Sequence, residues 1–360
     1  MRKRVVIAMS GGVDSSTAAC ILVKQGYEVI GLSMKLPNLG EVSESGCCGI
    51  QGIDDARNVA QKLGIPFYAL NYEKEFEAEV IDYFCQEYMN GRTPNPCIIC
   101  NEKIKFGSLL KKAKELGAHY IATGHYARIE YDSISKRYLL KKGIDREKDQ
   151  SYFLFSLSQQ QLASIIFPLG NYTKEEVRKL AKEFGLKIHN KPASQEICFI
   201  PNNDYRQFLQ HRLTQIKDQI NTGIKPGPIV NTGGKIIGEH QGIAFYTVGQ
   251  RKGIGAYKKP YYVLSIDEKK NTIMIGEEKD LYRNILIAKN VNWIYGEKIL
   301  KSMKVTAKIR YKHQECRATI STYSDNRIKV KFEKPQRAIT PGQAVVFYDN
   351  EIVVGGGWIC

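Results

Sequence analysis

Short apolar runs alternate with helical patterns along the first half of the chain. The first run, Val5-Val6-Ile7-Ala8-Met9, is continuous and predicts a strand that is buried on both faces of a parallel sheet. The predicted strands are 4–9, 28–34, 66–71 and 119–123, and the predicted helices are near 15–25, 53–63, 74–90 and 105–117. This order predicts a doubly wound, mainly parallel α/β sheet whose ligands bind outside the carboxyl ends of the strands.

The pattern changes at about residue 204, where long helices give way to short strands and turns. A predicted hairpin at 261–276 closes a small region, and a series of alternating segments follows it. Those segments are 304–311, 317–321, 327–332 and 344–348. Their spacing predicts a small carboxyl-terminal β-barrel. We therefore expect three domains, at 1–203, 204–279 and 280–360.

The chain is strongly basic, with a formal net charge of +16 over 360 residues. Its last 80 residues hold 14 Lys and Arg against 6 Asp and Glu, so +8 of that excess lies in the predicted barrel. Basic charge interleaved with aromatic residues favours a phosphate-rich partner, although a uniformly solvated basic surface fits the charge equally well. An anionic membrane is disfavoured, because the sequence has no basic amphipathic helix or lipidation motif.

The sequence also bears on the compartment. No apolar run reaches the length of a membrane span, and the chain begins with a predicted strand instead of a signal peptide. We therefore expect a cytoplasmic protein with no membrane partner. Nine cysteines in such a protein argue against a disulfide framework and favour thiol chemistry or metal binding. Two of them, Cys47 and Cys48, are adjacent in a predicted loop, where we expect thiols without a role.

The most informative stretch is Ser10-Gly11-Gly12-Val13-Asp14-Ser15-Ser16, which lies between the first predicted strand and the first predicted helix. Its glycines let backbone N–H groups approach a ligand closely, and the following helix directs its positive end at the same point. The stretch therefore predicts a phosphate cradle, against the alternative of a glycine-rich turn with no ligand. It is not a Walker A loop, because no Gly-Lys-Ser/Thr follows at the required spacing.

Further candidate chemistry comes from three cysteines. Cys97 and Cys100 follow a proline-containing loop and precede a predicted helix. A helix amino terminus with Lys103 and Lys105 nearby favours a thiol with a depressed pKa and raised nucleophilicity. The spacing also fits half of a zinc site, but no second close pair with suitable partners follows it. Cys198 stands alone in an apolar setting, which is typical of a buried, inert thiol.

The longer motifs together resemble those of the bacterial tRNA-specific 2-thiouridylases, ATP pyrophosphatases whose phosphate loop is called the PP-loop. The resemblance runs essentially end to end. Its motifs are SGGVDSS, GRTPNPC-x-x-CN-x-x-IKF, ATGHYAR, KDQSYFL, ICFI, GEHQG, TVGQRKG, the pair Arg310-Tyr311, and TPGQAVVFY. It implies a PP-loop ATP-binding domain, a small central domain and a carboxyl-terminal β-barrel that grips tRNA. It also implies ATP-dependent replacement of the C2 oxygen of the wobble uridine by sulfur, with release of AMP and diphosphate.

The resemblance further implies a set of site residues. ATP would be held by Ala8, Met9, Ser10, Gly11, Gly12, Val13, Asp14, Ser15, Met34 and Gly124. Asp14 would also help position Mg²⁺, with simple capping of the helix as the alternative for its carboxylate. The target base would lie beside Asn95, Pro96 and Cys97. The tRNA contacts would be His125, Lys148, Asp149, Gln150, Arg310, Tyr311 and Gln343, with a purely structural histidine as the alternative for His125. The tRNA would be of the Lys, Glu and Gln type, and a cysteine desulfurase or sulfur-relay protein would donate the sulfur.

Roles for the cysteines also follow from the resemblance. Cys198 would carry the terminal sulfur as a persulfide, and Cys100 would be the nucleophile that forms a transient disulfide with Cys198. Many family members have aspartate at the position of Cys97, so this chain departs from the pattern there. Cys97, Cys100 and Cys198 could instead hold an iron–sulfur cluster, which is the alternative for the sulfur step. No other metal ligands are assigned.

Two other classes of function remain compatible with the phosphate loop. A PP-loop ligase or amidotransferase that makes a small molecule would also use it, but Cys100, Cys198 and the basic barrel would then have no purpose. An RNA-binding protein with a vestigial nucleotide fold would retain the basic barrel. Loss of 2-thiouridine on changing Cys198 to Ser would separate the thiolating enzyme from this last class.

Overall fold

A computed structural model of the chain describes residues 2–37, 50–191, 197–215, 222–296, 302–324 and 326–360. Cys47 and Cys48 lie outside the described residues. In chain order the first part consists of β1 (Arg4–Ala8), α1 (Val13–Lys24), β2 (Glu28–Lys35), α2 (Ile50–Leu63), β3 (Phe67–Asn71), α3 (Glu73–Phe76), α4 (Asp82–Met89), α5 (Pro96–Ile99), α6 (Leu109–Glu115), β4 (Tyr120–Ala122), β5 (Ala127–Asp132), β6 (Arg137–Lys142), α7 (Gln159–Leu162), β7 (Ile165–Ile166) and α8 (Lys174–Glu183). Two π-helical segments, Glu77–Ile81 and Cys100–Ser108, join α3 to α4 and α5 to α6.

The first part is built on a five-stranded sheet in the order β3-β2-β1-β4-β7, with every neighbouring pair parallel. Side chains of β1 alternate between its two faces. Val5 and Ile7 pack with residues of α1 and α8, whereas Val6 packs on the other face with Phe84 of α4 and Leu109 of α6. Helices therefore cover both faces, and the predicted doubly wound parallel sheet is confirmed. Of the five strands of this sheet, the apolar pattern missed only β7, which has two residues.

The central part begins with α9 (Tyr205–Gln215) and continues as a four-stranded sheet. Its strands are β8 (Gly227–Val230), β9 (Ile236–His240), β10 (Tyr262–Asp267) and β11 (Thr272–Gly276), in the order β10-β11-β8-β9. The predicted hairpin at 261–276 corresponds to the antiparallel pair β10 and β11. Single 3₁₀-helical turns occur at Ser151–Leu154, Lys187–Asn190, Pro201–Asn203, Thr222–Ile224, Ile243–Phe245 and Glu278–Leu281.

The last part is a closed β-barrel of six strands. They are β12 (Tyr282–Trp293), β13 (Ser302–Lys308), β14 (Cys316–Ser324), β15 (Arg327–Arg337), β16 (Ala344–Asp349) and β17 (Ile352–Ile359). The order is β12-β15-β14-β13-β16-β17, and pairing of β12 with β17 closes the barrel. The predicted barrel is thus confirmed. The first predicted segment, 304–311, ran too far, because β13 ends at Lys308 and Arg310 and Tyr311 lie in the following turn.

The hydrophobic core is continuous through the three parts of the chain. One cluster of buried side chains runs from Val6 of β1 through Phe208 of α9 and Ile273 of β11 to Val346 of β16. In addition, the hairpin β5–β6 pairs with β17 and extends the barrel sheet. The domain bounds 1–203, 204–279 and 280–360 stay a prediction. Within the described parts of the chain, no helix combines the length and the apolarity that crossing a bilayer requires.

Phe84 shows how the parts are packed together. Its ring is fully buried and lies edge-on to Phe199 at 5.4 Å and to Phe208 of α9 at 6.0 Å, measured between centroids. We expect Phe84→Ala to lower the free energy of unfolding by about 3–5 kcal/mol, because it leaves a cavity where these rings meet. Urea unfolding would measure the loss. Tyr68→Ala, at a position of β3 that is 51% exposed, is the control, and an equal loss there would contradict the prediction.

Candidate active site

The loop between β1 and α1 is held by its own serines. Ser15 Oγ accepts a hydrogen bond from the backbone N–H of Ser10 at 3.1 Å and donates one to the carbonyl of Gly12 at 3.2 Å. Gly12 caps α1, so the first N–H groups of this helix, from Val13 onward, have no carbonyl acceptor within the helix. These donors and the positive end of the helix dipole suit the loop to binding an anion.

Two glycines beside this loop are required by close backbone contacts. Gly11 has a φ of +71°, and a Cβ there would lie 2.1 Å from the carbonyl oxygen of Gly52 in α2. A Cβ on Gly124 would lie 2.7 Å from the backbone nitrogen of Ser15 and 2.8 Å from the carbonyl carbon of Asp14. The chain that leaves β4 therefore touches the loop backbone to backbone, as expected where the carboxyl ends of neighbouring parallel strands meet.

Asp14 is the acidic centre of the loop, and two distant side chains bind it. Lys174 Nζ, at the start of α8, forms an ion pair with Asp14 Oδ1 at 2.6 Å, and the hydroxyl of Tyr126 donates a hydrogen bond to the same oxygen at 2.7 Å. Burial and the neighbouring carboxylate raise the pKa of Tyr126. The Lys174 side chain is only 13% exposed, so this cation is held beside the phosphate loop.

A cavity of about 310 Å³ connects the loop to the cysteines. Among the predicted site residues, its walls include Ala8, Met9, Ser10, Gly12, Val13, Asp14, Ser15, Met34, Pro96, Cys97, Cys100, Gly124, His125, Gln150 and Cys198. Gly11 lies within the loop and Asn95 directly precedes α5. Lys105, Lys174 and Lys191 also line the cavity, and Lys191 pairs with Asp55 at 2.8 Å. The cavity thus combines a phosphate cradle, cationic side chains and thiols.

The three cysteines reach this cavity from two separate segments. Cys97 lies in α5 and is half-buried, as is Cys100, which begins the π-helical segment. Cys198 is exposed, so the expectation of a buried, inert thiol, drawn from its apolar neighbours in sequence, was wrong. Within the described ranges, no three His, Cys, Asp or Glu side chains come together as a group that could hold a metal ion.

The π-helical segment is anchored to the neighbouring 3₁₀ turn. Asn101 Nδ2 donates to the carbonyl of Phe153 at 3.1 Å, and Lys105 Nζ donates to Asn101 Oδ1 at 3.1 Å. π-helical turns are frequent at functional sites. Here the anchor fixes the segment that begins with Cys100, and it places Lys105 in the cavity wall.

His125 lies in the cavity wall and is buried. Its Nδ1 is 2.7 Å from the hydroxyl of Thr123, and its ring packs between Phe106 and Phe167 at centroid distances of 6.0 and 5.8 Å. Burial, together with the positive charge of Lys105, holds the pKa of His125 well below 6.5. The imidazole is therefore neutral at physiological pH. This environment favours the structural alternative for His125 over a direct RNA contact.

The remaining predicted tRNA residues lie at the junction of the first part with the barrel. Asp149 is buried and accepts hydrogen bonds from the backbone of Gly143 and Ser151, at 3.0 and 3.1 Å. The ring of Tyr311 packs against that of Phe153, tilted by 40°, at a centroid distance of 4.5 Å. These contacts gather 148–150 and Arg310-Tyr311 into one region, as a shared RNA contact requires.

Other members of the set are bound within the fold. Gln150 Oε1 accepts from the backbone N–H of Tyr126 at 3.0 Å, and Arg310 donates to the carbonyl of Ala338 at 2.9 Å. Gln343 donates to carbonyls of the segment before α5. Lys148 is half-buried. Direct tRNA contacts by these residues stay predictions.

Sequence reasoning missed Lys174 and Tyr126. Lys174 follows Thr173, which caps α8, and nothing in that stretch indicates a partner 160 residues away. Tyr126 lies in the ATGHYAR motif, yet the motif alone does not show that its hydroxyl reaches Asp14. Both contacts depend on how α8 and β4 pack against α1, which local patterns do not encode.

The burial of His125 predicts a dependence of stability on pH. Above pH 6.5 both the folded and the unfolded state are neutral at this residue; below it, only the unfolded state binds a proton. The free energy of unfolding should therefore fall as the pH drops. We expect His125→Gln to remove about 1 kcal/mol of the loss between pH values of about 7.5 and 5.5, as measured by urea unfolding. An identical loss in both proteins would contradict the prediction.

Three family models match consecutive parts of the chain. Residues 3–202 match the tRNA methyl transferase HUP domain, residues 207–277 the tRNA methyl transferase PRC-barrel domain, and residues 283–359 the aminomethyltransferase beta-barrel domain. A solved 4-thiouridine synthetase–RNA complex with bound ATP is 17% identical, with a TM-score of 0.35 over 59% of this chain and 51% of that chain. With a TM-score this low, the likeness supports no conclusion about fold or function.

Curated relatives match the whole chain. The tRNA-specific 2-thiouridylase MnmA 2 of Thermoanaerobacter sp. (strain X514) is 53% identical, over 100% of this chain and 98% of the relative. The tRNA-specific 2-thiouridylase MnmA of Acetivibrio thermocellus is 53% identical over 99% of each chain. That of Clostridioides difficile (strain 630) is 50% identical, over 100% of this chain and 98% of the relative. The chain therefore belongs to the tRNA-specific 2-thiouridylase family.

Proposed function

We propose that this protein catalyses the ATP-dependent 2-thiolation of the wobble uridine in tRNA anticodons, with release of AMP and diphosphate. The observation that carries the proposal is that one cavity is lined by the phosphate loop and by Cys97, Cys100 and Cys198. The full-length relatives are named 2-thiouridylases, whereas two family models carry the words methyl transferase. A phosphate cradle and thiols in one cavity favour thiolation, because transfer of sulfur to an adenylated carbonyl carbon uses both.

The first half of the reaction activates the uridine. The C2 carbonyl is a poor electrophile and its oxygen is a poor leaving group. The uridine O2 attacks the α-phosphorus of the substrate ATP, the bond from that phosphorus to the β-phosphate bridge oxygen breaks, and diphosphate leaves. The loop from Ser10 to Ser15 would hold the diphosphate through backbone N–H groups and hydroxyls, and Lys174 would neutralise charge that develops on it.

The second half delivers sulfur. Cys198 carries a persulfide, and the Cys100 thiolate attacks the Cys198 sulfur atom. This forms the Cys100–Cys198 disulfide and releases the terminal sulfur as hydrosulfide. Hydrosulfide attacks C2, the C2–O bond breaks, and AMP leaves with the former uridine oxygen. Two thiols of the donor system must then reduce the disulfide and become a disulfide themselves. In an alternative order, Cys100 assists while the persulfide attacks C2 directly. The exposure of Cys198 supports access by a donor protein.

Asp14 is suited to help hold Mg²⁺. Among the described residues, both partners of this carboxylate bind Oδ1, which leaves Oδ2 for a cation beside the phosphate loop. Carboxylate oxygens are the ligands that Mg²⁺ prefers. When bound, Mg²⁺ would supply charge neutralisation for the phosphates of ATP. Asp14 would then offer its Oδ2 to the Mg²⁺, and Tyr126 and Lys174 would hold the Asp14 side chain in place.

The three cysteines suit a relay better than an iron–sulfur cluster. They line one cavity, yet the described part of the chain holds no cluster of three such ligands close enough for a metal ion. Cys100 and Cys198 need only approach pairwise, and both line the cavity. We therefore assign no step to a cluster and leave Cys97 in the pocket for the target base, beside Asn95 and Pro96.

We further propose that the barrel and the cavity mouth bind tRNA of the Lys, Glu and Gln type. C2 is inaccessible in a stacked anticodon loop, so the wobble base must be extruded into the cavity. The residues that the resemblance offers for these tRNA contacts are Lys148, Asp149, Gln150, Arg310, Tyr311, Gln343 and His125. The buried members, Asp149 and His125, would act by holding the surrounding backbone. A cysteine desulfurase or sulfur-relay donor and a cytoplasmic location complete the proposal.

The relay predicts distinct cysteine variants. Cys198→Ser should abolish 2-thiouridine, and Cys100→Ser should lower it by at least about 10³-fold, because each removes a reacting sulfur. Both variants should still bind tRNA. The measurement is mass analysis of tRNA nucleosides after incubation with ATP and a persulfide source. The control is Cys360→Ser, which changes an exposed cysteine at the end of the barrel. Wild-type levels of 2-thiouridine in Cys198→Ser would refute the relay.

Lys174 predicts an effect on activation alone. We expect Lys174→Gln to slow diphosphate formation by about 10²-fold, because one preorganised charge beside the leaving group is lost. Lys179→Gln is the matched control on the same helix: that lysine is exposed and pairs with Glu175 at 3.1 Å, so diphosphate formation should not change. AMP and diphosphate would be measured in the presence of tRNA. An unchanged rate in Lys174→Gln would exclude the assigned role.

A further inference from the structure

A turn of the barrel grips the segment that leads to the cysteine helix. Gln343 Nε2 donates to the carbonyls of Thr93 and Pro94, each at 3.1 Å. The backbone N–H of Thr93 in turn donates to the carbonyl of Pro341 at 2.9 Å. The residues that bind are about 250 positions apart in the chain. We call the turn Pro341–Gln343 the barrel clamp.

The barrel clamp lies directly against the backbone of Thr93. A Cβ on Gly342 would lie 2.9 Å from the backbone nitrogen and from the carbonyl oxygen of Thr93, and Gly342 has a φ of +87°. The clamp therefore meets the segment backbone to backbone. The central part adds a third attachment, because the hydroxyl of Thr93 donates to that of Thr247 at 3.3 Å. Arg92, just before the segment, is tied to Glu87 through two hydrogen bonds.

The gripped segment continues directly into the site. Pro96 begins α5, Cys97 follows it, and Cys100 comes one turn later. Pro94 and Pro96 have no N–H, so this stretch has few donors with which to hold itself. Its carbonyls are satisfied from outside, by the barrel. A shift of the clamp would therefore move the start of α5, and with it the thiol of Cys100.

We propose that Gln343 is a positioning residue for Cys100, a role that rests on the proposed sulfur transfer. The resemblance to the family places Gln343 among the tRNA contacts. However, a side-chain amide has two N–H donors, and here they face the carbonyls of Thr93 and Pro94. Donation to RNA would break these bonds. The position of the Cys100 thiol therefore depends on how the barrel packs against the segment before α5.

The test uses the full-length protein with Gln343→Met, which keeps the length of the side chain and removes both donors. Gln314→Met, at an exposed glutamine of the barrel, is the matched control. Three quantities are compared with the wild type: the Kd for tRNA, the ratio of 2-thiouridine to diphosphate formed early in a single turnover, and the rate at which iodoacetamide alkylates Cys100 without RNA. Thermal unfolding checks that the fold survives. Gln343→Glu, whose carboxylate would oppose the same carbonyls, is a second variant that removes the contact.

Positioning predicts that the ratio of 2-thiouridine to diphosphate early in a single turnover falls about tenfold or more in Gln343→Met, because activation still proceeds and a small displacement of a nucleophile is costly. The Kd for tRNA should stay unchanged, and alkylation of the half-buried Cys100 should accelerate severalfold. A weaker Kd with an unchanged ratio and unchanged alkylation would overturn the inference in favour of a direct RNA contact. Absence of 2-thiouridine from the wild type would refute the proposed function, whereas unchanged alkylation would refute the clamp.

Discussion

The candidate site depends on the contact between Gly124 and the phosphate loop. The parallel pairing of β1 with β4 brings the chain after β4 against the start of α1. There the backbone of Gly124 lies so close to Asp14 and Ser15 that a Cβ would be 2.7 Å from the nearest backbone atom. The phosphate cradle, Thr123 and His125 therefore share one edge of the sheet. A side chain at position 124 would separate them.

The parts that local patterns encode could be predicted from the sequence. Short apolar runs marked β1 to β4, and those of β1 and β2 are continuous because strands covered by helices on both faces need apolar side chains on both. The loop at Ser10–Ser16 could be located since a strand, two glycines and a helix start follow one another directly. The alternation in the last 80 residues identified a barrel, although β12 and β17 were missed: the Gly355-Gly356-Gly357 run of β17 is typical of a loop.

What could not be predicted depends on contacts between distant residues. Lys174 pairs with Asp14 only because α8 packs on α1, and no pattern near Lys174 indicates this. The apolar neighbours of Cys198 suggested an inert thiol, whereas the fold places it at the cavity. Only the resemblance to a family assigned it a role. Gln343 is a similar case, because its partners Thr93 and Pro94 are brought to it only by the packing of the barrel against the first part of the chain.

The hairpin β5–β6 begins three residues after Gly124 and ends in the barrel sheet, where Lys141 pairs with Ile352. Arg128 and Lys142 of this hairpin also bind Glu351, at 2.8 Å and 2.9 Å. The candidate site and the barrel are consequently joined through this one hairpin. A change that loosens the barrel at β17 is therefore expected to reach the segment around Gly124 as well, so the barrel cannot be exchanged without consequence for the candidate site.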